Sequence, residues 1–174
     1  MRNLYEQIRL QILAANLGFN AVKLWNNQFQ SMEDREHETM PFPVCYIGFD
    51  DEITYETKQI GIQNGKINVS VWIAKEFYSD PETNESVNLD IFDLKQAVFA
   101  VLQNFTGGGT FQGLTRVSEN TDNNHDSYYV FKQTYSTIVI DDAGIDNINT
   151  VAGNGLIVNK ELKIDNYDIR TAPN

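Results

Sequence analysis

Ile67, Val69, Val71 and Ile73 alternate with Asn68, Ser70 and Trp72. A period of two puts the apolar set on one face of a strand. Just before it, Asn64-Gly65 predicts a tight turn, because a primed two-residue turn needs positive φ at both central positions. The strand leading into that turn reads from Thr57 to Ile62. The pattern predicts a long antiparallel hairpin whose apolar face needs a cover. That cover comes where the period changes. From about Leu89 to Phe105, the residues Ile91, Leu94, Val98, Val101, Leu102 and Phe105 form an apolar helical stripe. Asn88 or Asp90 is placed to cap its start, and Thr106-Gly107-Gly108-Gly109 ends it.

The other elements are weaker versions of the same two periods. Residues 2–17 read as an amphipathic helix, with Leu4, Ile8, Ile12 and Ala15 in register, Tyr5, Leu13 and Leu17 beside them, and Gly18 as its stop. Ala21 to Trp25 reads as a short strand turned by Asn26-Asn27-Gln28. The polar stretch 29–40 reads as a mobile loop, and Pro41-Phe42-Pro43 stiffens the entry to a central strand, Val44 to Phe49, ended by Asp50-Asp51. Ile53-Thr54-Tyr55 either continues that strand past a bulge or opens the hairpin. Asp80 to Ser86 reads as a loop. A strand over about Gly113 to Glu119, a polar turn at 120–127 and a long β-branched and aromatic strand from Tyr128 to Ile140 close the core. The expected class is α+β: an antiparallel β-sheet packed against two α-helices in a domain over 1–142, followed by an extended C-terminal arm at 143–174.

In that arm, Leu156-Ile157-Val158, Leu162 with Ile164, and Tyr167 with Ile169 sit among Asn, Gly and Asp. They alternate like strands but have no helix to cover them. Two readings stand: an arm that adds a strand to a neighbour's sheet, and a tail or local hairpin on its own domain.

Composition narrows the function. The 174 residues suit one domain, or one domain with an arm, and 41% hydrophobic residues with ten Phe and eight Tyr supply a core. A net charge of −11 with no basic cluster argues against binding a phosphate backbone. The single cysteine, Cys45, excludes an internal disulfide. No segment approaches the roughly 18 apolar residues of a membrane span. The first residues lack an apolar h-region, so no signal peptide is expected.

The candidate chemistry is thin. Gly107-Gly108-Gly109 invites a phosphate loop, but such a cradle follows a strand and opens a helix. Here the glycines follow a helix, which makes them a helix stop and turn. Cys45 with His37 or His125 would be a nucleophile and base on paper. Cys45, however, sits in an apolar strand, where it behaves as a small hydrophobe. Asp122-Asn123-Asn124-His125-Asp126 has the oxygen spacing of a calcium loop without its central Gly or closing Glu. Asx-type turn bonding accounts for it more simply. Two distant histidines do not make a zinc site. Glu33, Asp34, Glu36 and Glu38 read as a solvated loop, with a charged surface near a channel or partner as the functional alternative. Trp25 and Trp72 read as core or interface anchors. No catalytic, cofactor-binding or metal residue is expected.

Several local pieces occur in a telling order: Leu24-Trp25-Asn26-Asn27-Gln28, then Pro43 to Phe49, then Lys66 to Ile73. They continue with Phe92-Asp93-Leu94 to Leu102-Gln103-Asn104-Phe105, Gly113-Leu114-Thr115-Arg116, His125 to Val130, and Tyr135-Ser136-Thr137. Over about residues 3–142 the chain resembles the phage tail terminator (tail completion) proteins of the head-proximal tail and neck. The arm after Asp142 is longer than the resemblance implies. The resemblance implies a non-enzymatic structural virion protein with no cofactor, assembled in the bacterial host cytoplasm. It implies a two-helix, antiparallel-sheet fold closed into a homo-oligomeric ring, typically of six. Such a ring caps the tail tube and docks to neck or portal-side connector proteins. DNA passes through the lumen without specific binding, and an acidic lumen lets it slide. Hairpin edges and loops such as 29–40 and 79–88 are the candidate ring contacts. The alternatives are another neck ring protein such as a head-completion stopper, a small acidic binding module, or an enzyme with an unrecognised site.

Overall fold

A computed structural model describes residues 1–29, 40–50, 52–77, 81–122, 125 and 128–143, with the side chains of 81–87 left aside. The expected loop at 30–39 and the expected arm after Ala143 lie outside the described residues. The elements run α1 (Arg2–Ala14), β1 (Ala21–Leu24), β2 (Val44–Phe49), β3 (Thr54–Gln59), β4 (Ile62–Glu76), α2 (Pro81–Leu102), a 3₁₀ turn (Gly107–Gly109), β5 (Thr115–Asp122) and β6 (Tyr128–Asp141). The class is α+β: one mixed six-stranded sheet with two helices. All its pairs are antiparallel except β1 with β2, which is parallel.

β4 is the strand on which the sheet is built. β6 pairs along it from Gln63 to Glu76. On its other side β2 takes Val69–Ala74 and β3 takes Ile62–Lys66. The sheet therefore narrows to three strands, β3–β4–β6, at the end where the β3–β4 hairpin turns. β1 flanks β2, and β5 flanks β6.

The alternation in β4 sorts two faces as the sequence predicts. Ile67, Val69, Val71 and Ile73 are all buried and pack under the helices with Cys45, Ile47 and Tyr135. α1 contributes Leu4, Ile8 and Ile12; α2 contributes Ile91, Val98 and Leu102, with Leu94 and Val101 partly buried. The two helices touch: the Gln11 amide approaches the Val101 carbonyl at 3.4 Å. Each helix stops in a left-handed asparagine, Asn16 (φ 49°) and Asn104 (φ 63°), which terminates it as Gly18 was expected to do for the first.

On the opposite face the described residues include only the start of a helix, at Gln28 and Phe29. The buried cluster there is aromatic: Phe29, Tyr46 and Tyr128 with Val44, Ala74 and Val130. Trp25 and Trp72 lie partly buried against it. Their rings stack at 4.4 Å and 16°, over Gly48.

Three sequence expectations change. The hairpin turns at Ile60-Gly61, where Gly61 has φ 78°, and not at Asn64-Gly65. Asn64 and Gly65 lie within β4, opposite Glu56 and Tyr55. At Gly65 the Tyr55 ring lies over the place of the missing side chain: a Cβ there would sit 2.8 Å from Tyr55 Cε1. Ile53-Thr54-Tyr55 accordingly opens the hairpin. The second helix begins at Pro81, eight residues before Leu89, so the stretch expected as a loop is largely helix. Pro81 occupies the first helical position, where its missing N–H costs nothing. Asn88 and Asp90 are inside the helix and do not cap it. Finally, β5 continues to Asp122, taking residues 120–122 from the expected turn.

Candidate assembly surface

The expected chemistry does not converge. Cys45 is fully buried on the helix face, and burial pushes its thiol well above the ordinary range. His125 stacks on Tyr128 at 4.4 Å, and Tyr128 belongs to the aromatic cluster of the other face. The sheet thus separates the two, and His37 lies outside the described residues. The Asp122 carboxylate lies 3.4 Å from His125 Nε2. Asn123, Asn124 and Asp126 are outside the described residues, and among those described no group of three or more His, Cys, Asp or Glu is placed to hold a metal. Glu33, Asp34, Glu36 and Glu38 also lie outside. Gly107, Gly108 and Gly109 have φ of 55°, 71° and 91°. They form the 3₁₀ turn between α2 and β5; the helix itself ends earlier, at Leu102, so the glycines are a turn and not its stop. The grooves are open: one of about 380 Å³ beside Lys75, Asp90 and Asp93, and one of about 500 Å³ beside Tyr5, Arg9 and Lys23.

A polar network that sequence reasoning missed lies under α2. Gln133, fully buried on β6, donates to the Lys95 carbonyl and to Glu119, each at 3.0 Å. It accepts from the Tyr135 hydroxyl at 2.7 Å. Glu119 also receives the Lys95 ammonium and, at 3.1 Å, the Arg116 guanidinium. Partial burial pushes the Glu119 carboxyl up. The hydrogen bonds from Lys95 and Gln133, with the charges of Lys95 and Arg116, outweigh it and hold the group below its ordinary range. Lys95 also lies 4.6 Å over the Phe131 ring and Arg116 3.8 Å over Phe99. Every member contacts another within the protein, so this is a docking device for α2 and not a site. Its only sequence signal was polar residues on the inward phase of a strand, Gln133 foremost.

What the fold leaves open is an edge. The outer side of β1 is guarded, because Arg9 Nε donates to the Val22 carbonyl at 3.0 Å. The outer side of β5 begins with the Arg116 N–H held by Gln103 Oε1 at 3.2 Å, and a bulge at Val117 bends it. Beyond β5, the end of β6 is covered by Phe111 and Gln112: Phe111 bridges Val139, and the Gln112 N–H donates to Ile138 at 2.9 Å. β3 carries the charged pair Glu56 and Lys58 and a register shift between Thr57 and Gln59, but no other element covers its outer side among the described residues. All six of its residues are exposed, and among the described residues only β4 pairs with it. Around the same three-stranded end, Tyr55, Ile60 and Ile140 are 46%, 82% and 64% exposed. Natural sheets blunt their edges with charges, bulges or covers; β3 has the first two and lacks a cover among the described residues. Loop 29–40, the other expected contact, contributes Phe29 and Met40 to the aromatic cluster and is otherwise outside the described residues.

No protein-family model matches the chain, and no curated protein matches it in sequence.

Proposed function

We propose that this chain is a structural protein of a tailed phage virion, a tail terminator or closely related neck protein, acting as a closed ring of identical copies. The order of local motifs along residues 3–142 supports the family reading, and the two-helix sheet is compatible with it. The observation that carries it is the β3 edge, uncovered among the described residues, with Tyr55, Ile60 and Ile140 exposed around it. An open edge with apolar neighbours is a liability in a monomer and an asset in a contact between copies. Contacts between unlike surfaces close into rings when the rotation allows. The net charge of −11 suits a passage through which DNA slides without adhering.

The test is assembly. The purified full-length chain, viewed by negative-stain microscopy and weighed across a concentration series, is expected to give closed rings. Purified virions are expected to carry it at the junction of tail and head. A chain that stays monomeric both alone and with tail tubes, or that turns over a substrate as a single molecule, overturns the reading.

A further inference from the structure

The β3 edge raises the question of what covers it. β6 runs towards the hairpin tip, and Asp141, opposite Gln63, is its last residue. The Asp141 carboxylate accepts from the Ala143 N–H at 3.1 Å, turning the chain off the strand. Residues 144–174 therefore start at the three-stranded end, beside Ile60 and Ile140. There Phe111 and Gln112 occupy the outer side of β6 at Ile138 and Val139.

Reach and pattern then select the occupant. A segment of that length extends to about 100 Å at most, against roughly 40 Å for the diameter of a domain of this size. It is long enough to cross to an adjacent molecule. Within it, Leu156-Ile157-Val158, Leu162 with Ile164, and Tyr167 with Ile169 supply apolar side chains among Asn, Gly and Asp. That composition suits an added edge strand, which pairs by backbone and sets register by alternate side chains. Tyr55, on one face of β3, offers an apolar contact to one phase of such a strand.

Resting on the ring reading above, we propose that the outer edge of β3 receives the C-terminal segment 156–169 of a neighbouring copy as an added antiparallel strand. Each copy then gives a strand at one place and takes one at another, which is the head-to-tail contact a ring requires.

Two full-length variants test this. Thr57→Cys places a thiol on β3, and Asp165→Cys places one in the segment; Cys45 is buried and does not compete. The two are mixed and oxidised, and a disulfide joining one variant to the other is expected, enriched roughly tenfold over a Thr121→Cys control on β5, as a bound strand's local concentration requires. Asn159→Cys serves as a second position in case the first falls out of register. The Thr57→Cys/Asp165→Cys double variant separates the occupants: a bridge within one chain, or none above control from either position, overturns the proposal. Oligomer mass is measured on the untreated chain. An inter-chain bridge without rings defeats the functional reading alone, and rings without the bridge defeat this inference alone.

Discussion

At the scale of single residues, two glycines take up the space that lets large rings close on the sheet, and they differ in what a methyl would meet. A Cβ at Gly48 would lie 2.7 Å from Trp72 Cζ3 and 2.9 Å from Trp25 Cβ, the root of a side chain that cannot swing away. Gly48→Ala is expected to cost about 1–3 kcal/mol of overpacking, read as a lowered urea midpoint. At Gly65 the obstacle is the Tyr55 ring, 46% exposed and able to rotate outward. Gly65→Ala is therefore expected to cost under about 1 kcal/mol. Cys45 makes a separate case. Its thiol is fully buried and its ionisation is pushed up by burial. Because the thiolate is the reactive form, a water-soluble thiol reagent is expected to leave the native protein untouched and to modify it stoichiometrically in denaturant.

At the scale of elements, α2 is held by apolar burial and by the carboxylate of Glu119. That carboxyl lies below its ordinary value when folded, so its contribution is present above the unfolded value and fades as pH falls through the folded one. Glu119→Gln is expected to lose on the order of 1 kcal/mol at pH 7. The gap from the parent should close on acidification past the carboxylate range, measured as the difference in unfolding free energy across pH. The elements also show what a sequence discloses. The β4 alternation and the α1 and α2 stripes were legible, because burial at 67, 69, 71 and 73, or at 4, 8 and 12, follows directly from backbone period. The turn was not: Asn64-Gly65 is a strong local signal, but both residues are held in the ladder between β3 and β6. The start of α2 was misplaced because Asp80 to Ser86 read as a loop, whereas Pro81 stands where proline opens a helix. The network around Gln133 was hidden because its members come from α2, β5 and β6 and meet only in space.

At the scale of the whole molecule, other elements reach over the sheet's edges at β1, β5 and the end of β6, while β3 has no cover among the described residues. That difference was only half legible. The hairpin was anticipated as a contact, but the guards on the other edges, Arg9 on β1 and Gln103 on β5, belong to distant elements and follow from no local pattern. Ile60→Asp, at the hairpin tip, is expected to leave unfolding of the isolated chain within about 0.5 kcal/mol of the parent. The same change should shift assembly to higher protein concentration, followed by sedimentation. The choice of probe matters for such work. Both tryptophans of the chain stand face to face in one stack, far in sequence but joined over Gly48. Ultraviolet emission from this protein is thus a lamp lit in a single corner, blind to events at the hairpin tip, so a flat intrinsic signal on mixing copies would be no sign that they had failed to meet.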